Sequence, residues 1–410
     1  MDKQGNSRKI TIVGDIMCEP MLLKAAKRPN GYDFTGVFKN VRELFAQSDY
    51  VIGNLETPLA GPDAGYTAGY FSFNTPSDFA AAARDAGVDF LLTANNHCLD
   101  RGLDGLKYTL QELDRQGIAH TGTFLHEMDP RFHVVEIGDT RIAILAYTYG
   151  TNYGDNRIVL KDEETYHINL LRPQQEKYFV TGKSGTKSQS KTGPHIGKLL
   201  SYEQKTRLKK LLGQPYNTAH EDNNLIEETA APYMRRLCAD IAAAKQAADV
   251  VLFLPHIGGQ FNIKPGTFSE YVFCEAQKAG CDAIVASHPH IVQKAAYKEK
   301  KVPCFFSIGN FSMSPNDFYL LHEHHPAYGL AVHLYLENKQ IAKASFTVLK
   351  MVEKRGDVLT VYPVDELYDR LSSEKKRAEL MADVQSVVCT VVGTAPSGDE
   401  VIQREYLLYK

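Results

Sequence analysis

The sequence contains no tryptophan, no Cys-x-x-Cys pair and no apolar run long enough to cross a membrane. A transmembrane helix needs roughly 20 consecutive, mostly apolar residues, so the sequence predicts no membrane span. The first ten residues, MDKQGNSRKI, also lack the apolar core of a signal peptide. We therefore expect a cytoplasmic protein, or an extracytoplasmic one from which a leader or anchor has been removed.

The sequence also lacks a cysteine pattern of the kind that staples a small secreted domain. Its seven cysteines are scattered, and most of them stand in apolar or helical contexts. An odd number without paired spacing is unlike a disulfide framework or a zinc knuckle. We expect reduced thiols in the core.

There is no marked excess of either charge. Lysine and arginine number 46 against 49 aspartates and glutamates, which gives a formal net charge of −3. Such a balance provides no overall attraction for nucleic acid, which we do not expect as a partner. With 410 residues and 43% hydrophobic content, the chain can bury a large core.

The stretch 91–105, LLTANNHCLDRGLDG, joins a predicted buried strand to a predicted amphipathic helix. Between the two elements stand Asn95, Asn96 and His97, whose side chains can ligate a metal or bind an anion. Buried amides and imidazoles are costly unless they have partners. The alternative is that the amides only form a turn and that His97 caps backbone groups.

Other predicted strands end in the same way, in polar residues that can ligate a metal. These residues are Asp15, Asn54 with Glu56, His256, His288 with His290, and Asn310. Ligands of open α/β sheets bind at the carboxyl ends of the strands, so we expect these side chains to share one cleft. Their mixed oxygen and nitrogen donors suit Mn²⁺, Fe²⁺ or Zn²⁺, and they suffice for two ions that share a carboxylate and a water.

The order of elements predicts a mixed α/β fold. Strands alternate with helices near the N-terminus, one of them expected over Thr35 to Gln47, which predicts a largely parallel sheet. Gly138-Asp139 predicts a hairpin that adds antiparallel strands. We predict a catalytic domain at 1–325 with an insertion at 152–232, and a β-rich segment at 326–410 that packs on the same domain. Within the insertion, the stretch at about 180–200 is rich in Lys, Gly and Ser, and we expect it to be mobile and dispensable for folding.

Six motifs resemble the bacterial capsule-synthesis proteins related to the polyglutamate capsule protein. In chain order they are GDIM (14–17), GNLE (53–56), NNHCLDRGLDG (95–105), HIGGQF (256–261), SHPHIVQ (287–293) and SIGNF (307–311). The resemblance implies a calcineurin-like metallophosphatase fold, a layered β-sandwich flanked by helices. It also implies hydrolysis of a phosphoester or related anionic substrate by a metal-bridging hydroxide.

The resemblance assigns roles to individual residues. As ligands of two divalent ions (Mn, Fe or Zn) it implies Asp15, Glu56, Asn96, His256, His288 and His290. As a catalytic residue it implies His97. We further expect Asp100 to be catalytic, and Asn54, Asn95 and Asn310 to bind substrate. The sequence departs from the pattern at Met17, where metallophosphatases usually have histidine, and at Gln260, where the capsule family often has glutamate.

The sequence excludes one rival function and leaves another open. A serine esterase with a Gly-Asp-Ser block is excluded because position 16 is isoleucine, so the nucleophile is missing. A non-catalytic scaffold that binds an anionic polymer during capsule or polyglutamate assembly stays open, since a fold does not imply an activity. The retained ligand set favours the hydrolase. The sequence does not specify whether the anionic substrate is a small molecule or a polymer, nor the oligomeric state.

Overall fold

A computed structural model describes residues 7–69, 72–174, 222–297, 302–317, 319–354 and 356–409, together with residues 208 and 211. The stretch at 180–200 lies outside these residues, so its mobility and dispensability stay predictions. The proposed domain boundary at 325 also stays a prediction.

The described part of the chain contains two large β-sheets and one short ribbon. Its strands are β1 (Arg8–Ile16), β2 (Lys27–Arg28), β3 (Gly31–Tyr32), β4 (Tyr50–Leu55), β5 (Phe90–Leu92), β6 (Ala119–Thr121), β7 (His133–Ile137), β8 (Thr140–Thr148), β9 (Val250–His256), β10 (Ala283–Val285), β11 (Ala295–Tyr297), β12 (Pro303–Phe305), β13 (Asn310–Ser312), β14 (Tyr328–Glu337), β15 (Gln340–Val352), β16 (Thr360–Pro363) and β17 (Tyr406–Tyr409).

The α-helices of the described residues flank these sheets. They are α1 (Pro20–Ala26), α2 (Thr35–Phe38), α3 (Arg42–Ala46), α4 (Asp78–Asp85), α5 (Gly102–Arg115), α6 (Tyr153–Asn156), α7 (Glu227–Ala247), α8 (Thr267–Ala279), α9 (Val364–Arg370) and α10 (Glu374–Val392). Within the described ranges, no helix combines the length and apolarity that crossing a bilayer requires.

The two sheets are both mixed. The first has the order β16-β15-β14-β1-β4-β5-β6, with β13 beside β1 and β17 beside β15. The second has the order β11-β12-β10-β9-β8-β7. The predicted hairpin at Gly138-Asp139 joins β7 to β8 as an antiparallel pair. The C-terminal strands extend the first sheet, because β14 pairs antiparallel with β1.

Apolar side chains pack in three layers around these sheets. Between the sheets, Phe90 of the first belongs to the same buried cluster as Leu252 of the second. On the outer face of the first sheet, α4 packs through Phe79. On the outer face of the second, α7 and α8 pack through Leu237 and Val272. The predicted layered α/β fold is confirmed.

Parallel register brings the strand tips of each sheet to one level. In the first sheet, Asp15 of β1 pairs with Asn54 of β4 and also with Asn310 of β13. The approach of β13 requires glycine at position 14, because a Cβ there would stand 1.9 Å from the carbonyl oxygen of Gly309. In the second sheet, an isolated bridge joins His256 to the segment that follows β10.

The helix predicted over Thr35 to Gln47 is wrong as a single element. The chain forms two short helices, α2 and α3, with a tight turn between them. In this turn the backbone N–H of Val41 donates to the carbonyl of Phe38 at 3.1 Å, an i to i+3 bond that interrupts the α-helical ladder. Val37, Phe38 and Val41 are all buried, so the core is kept although the helix is broken.

The cysteines match the expectation only in part. All seven are free, and Cys18, Cys98, Cys281 and Cys304 are buried. Burial raises the pKa of the Cys18 thiol well above its usual range, which keeps it protonated. Cys274 is exposed, so the expectation of core thiols fails there.

His333 on β14 is a buried histidine that lies apart from the polar strand tips. Its Nδ1 lies 2.8 Å from Thr11 Oγ1 and its Nε2 lies 2.9 Å from Thr347 Oγ1. Burial, together with the charges of Lys9 and Lys343, lowers the pKa of His333 to about 3. The folded protein therefore holds this ring neutral at a pH where the unfolded chain would protonate it.

We predict that His333→Gln makes the free energy of unfolding less dependent on pH. In the wild type, the unfolded chain takes up a proton near pH 6.5 and the folded chain only near pH 3, so stability falls as the pH drops through that window. Between these two pH values, the free energy of unfolding of the variant, measured with denaturant, should depend on pH less steeply than that of the wild type, by about 1.4 kcal/mol per pH unit. The exposed-site variant His126→Gln provides the reference, and equal slopes for His333→Gln and wild type would contradict the prediction.

Candidate metal centre

Two fully buried carboxylates lie at the tips of β1 and β4. Asp15 is well provided with hydrogen bonds: Asn54 Nδ2 donates to its Oδ1 at 2.7 Å, and the backbone N–H of His288 donates to its Oδ2 at 3.2 Å. Glu56 differs from it, since neither of its oxygens has a hydrogen-bond partner among the described residues.

Three imidazoles surround the carboxylate of Glu56. Its Oε1 lies 3.3 Å from His256 Nε2, 3.8 Å from His290 Nε2 and 4.0 Å from His97 Nε2. None of these contacts has the geometry of a hydrogen bond. A buried carboxylate without hydrogen bonds is destabilising unless a positive charge balances it. The residues around Glu56 therefore fit a bound cation.

The histidines reach this point from the second sheet. His256 ends β9, and His288 and His290 follow β10 on either side of Pro289. Both adopt a positive φ, of 106° and 58°, which is rare outside glycine. The turn brings the ring centroids of His256 and His288 within 4.7 Å, and those of His288 and His290 within 5.8 Å.

The donors form two groups that share one residue. Glu56, His256 and His288 make one group, and Asp15, Glu56 and His290 make the other, with the ligand atoms of each group within 4.8 Å of one another. Like both oxygens of Glu56, His288 Nε2 is buried without a hydrogen-bond partner in the described structure, and it is a further atom that could bind a metal. A carboxylate common to two donor groups is the arrangement of two-metal hydrolytic sites.

The surroundings of the cluster raise the pKa of one histidine and lower that of another. Burial opposes the charge on His290, but the carboxylates of Glu56 and Asp15 outweigh it and raise its pKa to about 9. Burial and the neighbouring imidazoles of His256 and His290 hold the pKa of His288 well below its usual range. Because a metal ligates the neutral imidazole, a cation entering the cluster must displace the proton of His290.

The loop after β5 adds an amide and a fourth histidine. Asn96 Oδ1 lies 2.7 Å from His256 Nε2, beside the first donor group. His97 Nδ1 lies 2.7 Å from Asp100 Oδ2, which also accepts the backbone N–H of Phe73 at 2.7 Å. Asp100 thus holds the far side of the ring and leaves Nε2 on the side of Glu56.

The three predicted substrate-binding amides are directed at the protein itself. Asn54 bonds to Asp15, and Asn95 Nδ2 donates to the carbonyl of Leu55 at 2.8 Å. Asn310 Oδ1 lies 2.9 Å from His290 Nδ1, and its Nδ2 donates to the carbonyl of His290, also at 2.9 Å. Asn54 and Asn310 thus hold candidate ligands in place, and the contact of all three amides with a substrate stays a prediction.

The sequence analysis missed three residues that touch the cluster. Ser287 Oγ lies 3.1 Å from His256 Nδ1, and the ring of Tyr149 lies 4.4 Å from that of His288. Asn152 accepts a hydrogen bond from Asn96. Tyr149 and Asn152 follow the tip of β8, so the strand-tip criterion applied to the strand TRIAILAYT finds them. Asn152 lies within the predicted insertion, where no site residue is expected.

Comparison with known proteins identifies a family whose model matches most of the chain. The model of the family described as "Bacterial capsule synthesis protein PGA_cap" matches residues 9–314. The PGA biosynthesis protein CapA of Bacillus subtilis (strain 168) is 23% identical over 309 residues, which cover 73% of this chain and 62% of that protein. The capsule biosynthesis protein CapA of Bacillus anthracis is 25% identical over 314 residues, which cover 75% of this chain and 60% of that protein.

This chain thus spans about six tenths of the length of the curated relatives it matches. Among solved structures, a hypothetical protein from Thermus thermophilus aligns with a TM-score of 0.35 and 14% identity, covering 86% of this chain and 98% of that one.

We predict that Glu56→Gln stabilises the metal-free protein and weakens its response to metal. The substitution removes a buried charge that has no hydrogen bonds, so the melting temperature in a chelator should rise. The stabilisation that Mn²⁺ gives to the wild type, about 2.7 kcal/mol at a hundredfold excess over its dissociation constant, should shrink. Thermal unfolding with and without Mn²⁺ measures both effects.

Glu112→Gln is the matched control, because Glu112 is also buried but is paired with Arg115 at 2.6 Å. This variant should lose stability and keep the wild-type response to Mn²⁺. A lower melting temperature for metal-free Glu56→Gln, combined with an undiminished Mn²⁺ response, would contradict the assignment of Glu56 as a ligand.

Proposed function

The chain belongs to the bacterial capsule synthesis protein family PGA_cap, and on this premise we propose that it is a metal-dependent hydrolase of the metallophosphatase type. Its substrate is a phosphoester or a related anionic compound of capsule or polyglutamate biosynthesis, the processes for which its Bacillus relatives are named. The observation that carries the proposal is the fully buried carboxylate of Glu56, which has no hydrogen bond on either oxygen and is common to two donor groups.

Two sets of residues would hold the two ions. Glu56, Asn96, His256 and His288 form the first set, and Asp15, Glu56 and His290 form the second. Mixed carboxylate, amide and imidazole donors suit Mn²⁺, Fe²⁺ or Zn²⁺. When bound, such a pair lowers the pKa of water towards neutrality and neutralises charge on the substrate oxygens.

His97 is positioned to give a proton to the leaving group. Burial opposes its charge, but the carboxylates of Asp100 and Glu56 raise its pKa, so the ring holds a proton more readily than an exposed histidine. Asp100 fixes Nδ1, and Nε2 faces the centre. The ring of Phe73, 4.4 Å from that of His97, shields one side from water. A positioned proton donor of this kind contributes about 10²–10⁴-fold to a rate.

The charge of the loaded site explains why the substrate is anionic. Two divalent ions bring more positive charge than the carboxylates of Asp15, Glu56 and Asp100 carry together, and all three carboxylates are buried. An excess positive charge attracts a phosphate or carboxylate group.

We predict that His256→Ala and His97→Ala fail in different ways. His256→Ala removes a ligand, so bound metal and hydrolysis should be lost together. His97→Ala leaves the ligands in place, so the protein should keep its metal and lose on the order of 10²–10⁴-fold in turnover. Metal analysis, melting temperature and turnover on phosphomonoesters, phosphodiesters and γ-glutamyl amides are measured on the same preparations.

His333→Gln is the control for replacing a buried histidine, and it should keep both metal and turnover. Unchanged turnover per folded molecule in His97→Ala would contradict its catalytic role. A wild-type protein that binds no divalent metal after anaerobic, metal-supplemented purification would overturn the proposed hydrolase function. A protein that binds two metals and hydrolyses none of these substrates would instead favour the anionic-polymer scaffold.

A further inference from the structure

We infer that Asn152 is a positioning residue, which holds the side chain of Asn96 with its amide oxygen directed at the metal centre. This inference rests on the proposed metal-binding function and adds to it a residue that supplies no ligand atom. Asn152 lies in the loop after β8, at the start of α6, and its side chain reaches the loop after β5.

The argument starts from the two ends of the Asn96 amide. Its Oδ1 lies 2.7 Å from His256 Nε2, and its Nδ2 donates to Asn152 Oδ1 at 3.0 Å. Only the oxygen of an amide can ligate a divalent cation, because the nitrogen carries two hydrogens and no available lone pair. A rotation of the Asn96 amide by half a turn would therefore direct hydrogens at the cation.

Asn152 selects between these two orientations. Its Nδ2 lies 3.3 and 3.4 Å from the two ring nitrogens of His97, so its NH₂ group is on the side of His97 and its oxygen is on the side of Asn96. An oxygen in that place accepts from the NH₂ group of Asn96 and repels its carbonyl oxygen. Asn152 thus lies between Asn96 and His97, the histidine proposed as proton donor.

The backbone supports this placement. Asn152 has a φ of 51°, in the left-handed region that asparagine enters more readily than most other residues with a Cβ. The preceding residue, Thr151, is 1% exposed and is anchored by two bonds: Asn156 Nδ2 donates to its carbonyl at 2.6 Å, and Gln174 Nε2 donates to its Oγ1 at 2.7 Å. The loop therefore presents the Asn152 side chain from a fixed point.

Two substitutions separate the proposed role from a role in folding. Asn152→Gly removes the side chain and suits the left-handed backbone, so Asn96 loses the partner that sets its orientation. Asn152→Asp keeps an oxygen that accepts from Asn96 Nδ2. The matched control is Asn338→Gly, the same change at the same φ of 51°, in the exposed hairpin between β14 and β15.

The experiment measures the dissociation constant of Mn²⁺ for chelator-treated protein, by competition with a chromophoric chelator, and the melting temperature without metal. Asn152→Gly should bind Mn²⁺ roughly 10–100-fold more weakly than the wild type, the usual effect of losing a residue that orients a ligand. Asn152→Asp should bind at least as tightly as the wild type, and Asn338→Gly should bind equally.

Three results would overturn the inference. Wild-type affinity in Asn152→Gly would show that Asn96 needs no such partner, and a lower metal-free melting temperature with that affinity would assign Asn152 to folding alone. An equal loss in Asn152→Asp and Asn152→Gly would show that the accepting oxygen is irrelevant. Absence of Mn²⁺ binding by the wild type would remove the metal centre itself, so the failure of the proposed function is distinguishable from the failure of this inference.

Discussion

The buried carboxylate of Glu56, which has no hydrogen bond, is the constraint on which the candidate centre depends. Its charge is opposed by the imidazole of His290, whose Nε2 lies 3.8 Å from Oε1 and whose pKa rises to about 9 because the carboxylates of Glu56 and Asp15 outweigh the effect of burial. Such a group lowers the stability of the folded chain. The two sheets and their three apolar layers supply the stability that tolerates it. Under the proposed function, this buried charge would attract the cations.

The geometry around this charge is maintained by a strained turn. His288 and His290 both have positive φ values, which cost about 1–3 kcal/mol each where other residues than glycine adopt them. The turn is held because the backbone N–H of Phe261 donates to the carbonyl of Pro289 at 2.8 Å, and because Gly258 leaves room for the Pro289 ring. The conformation of this turn therefore directs the two imidazoles towards Asp15 and Glu56.

Amides behind the ligands complete the arrangement. Asn54 bonds to Asp15, and Asn310 bonds to His290, so each of these candidate ligands is held by a neighbouring amide. Partners of this kind fix ring and carboxylate orientations and commonly matter for affinity nearly as much as the ligands do. Asn96 receives the same support from Asn152, but across two loops and not along neighbouring strands.

The sequence by itself determined the layered α/β fold and the strand tips at which polar donors stand. Both can be predicted from short stretches of sequence, because the apolar periodicity of a strand or helix and the turn residues that end it lie within a few positions of each other. It also indicated the family, through motifs in a fixed order. The sequence could not show that Glu56 is common to two donor groups, that Asn310 bonds to His290, or that Asn152 meets Asn96. Those contacts join segments that are distant in the chain, and which donor meets which acceptor depends on how the two sheets pack, on the turn at Pro289 and on the direction in which each amide is held. Only the tertiary structure decides these.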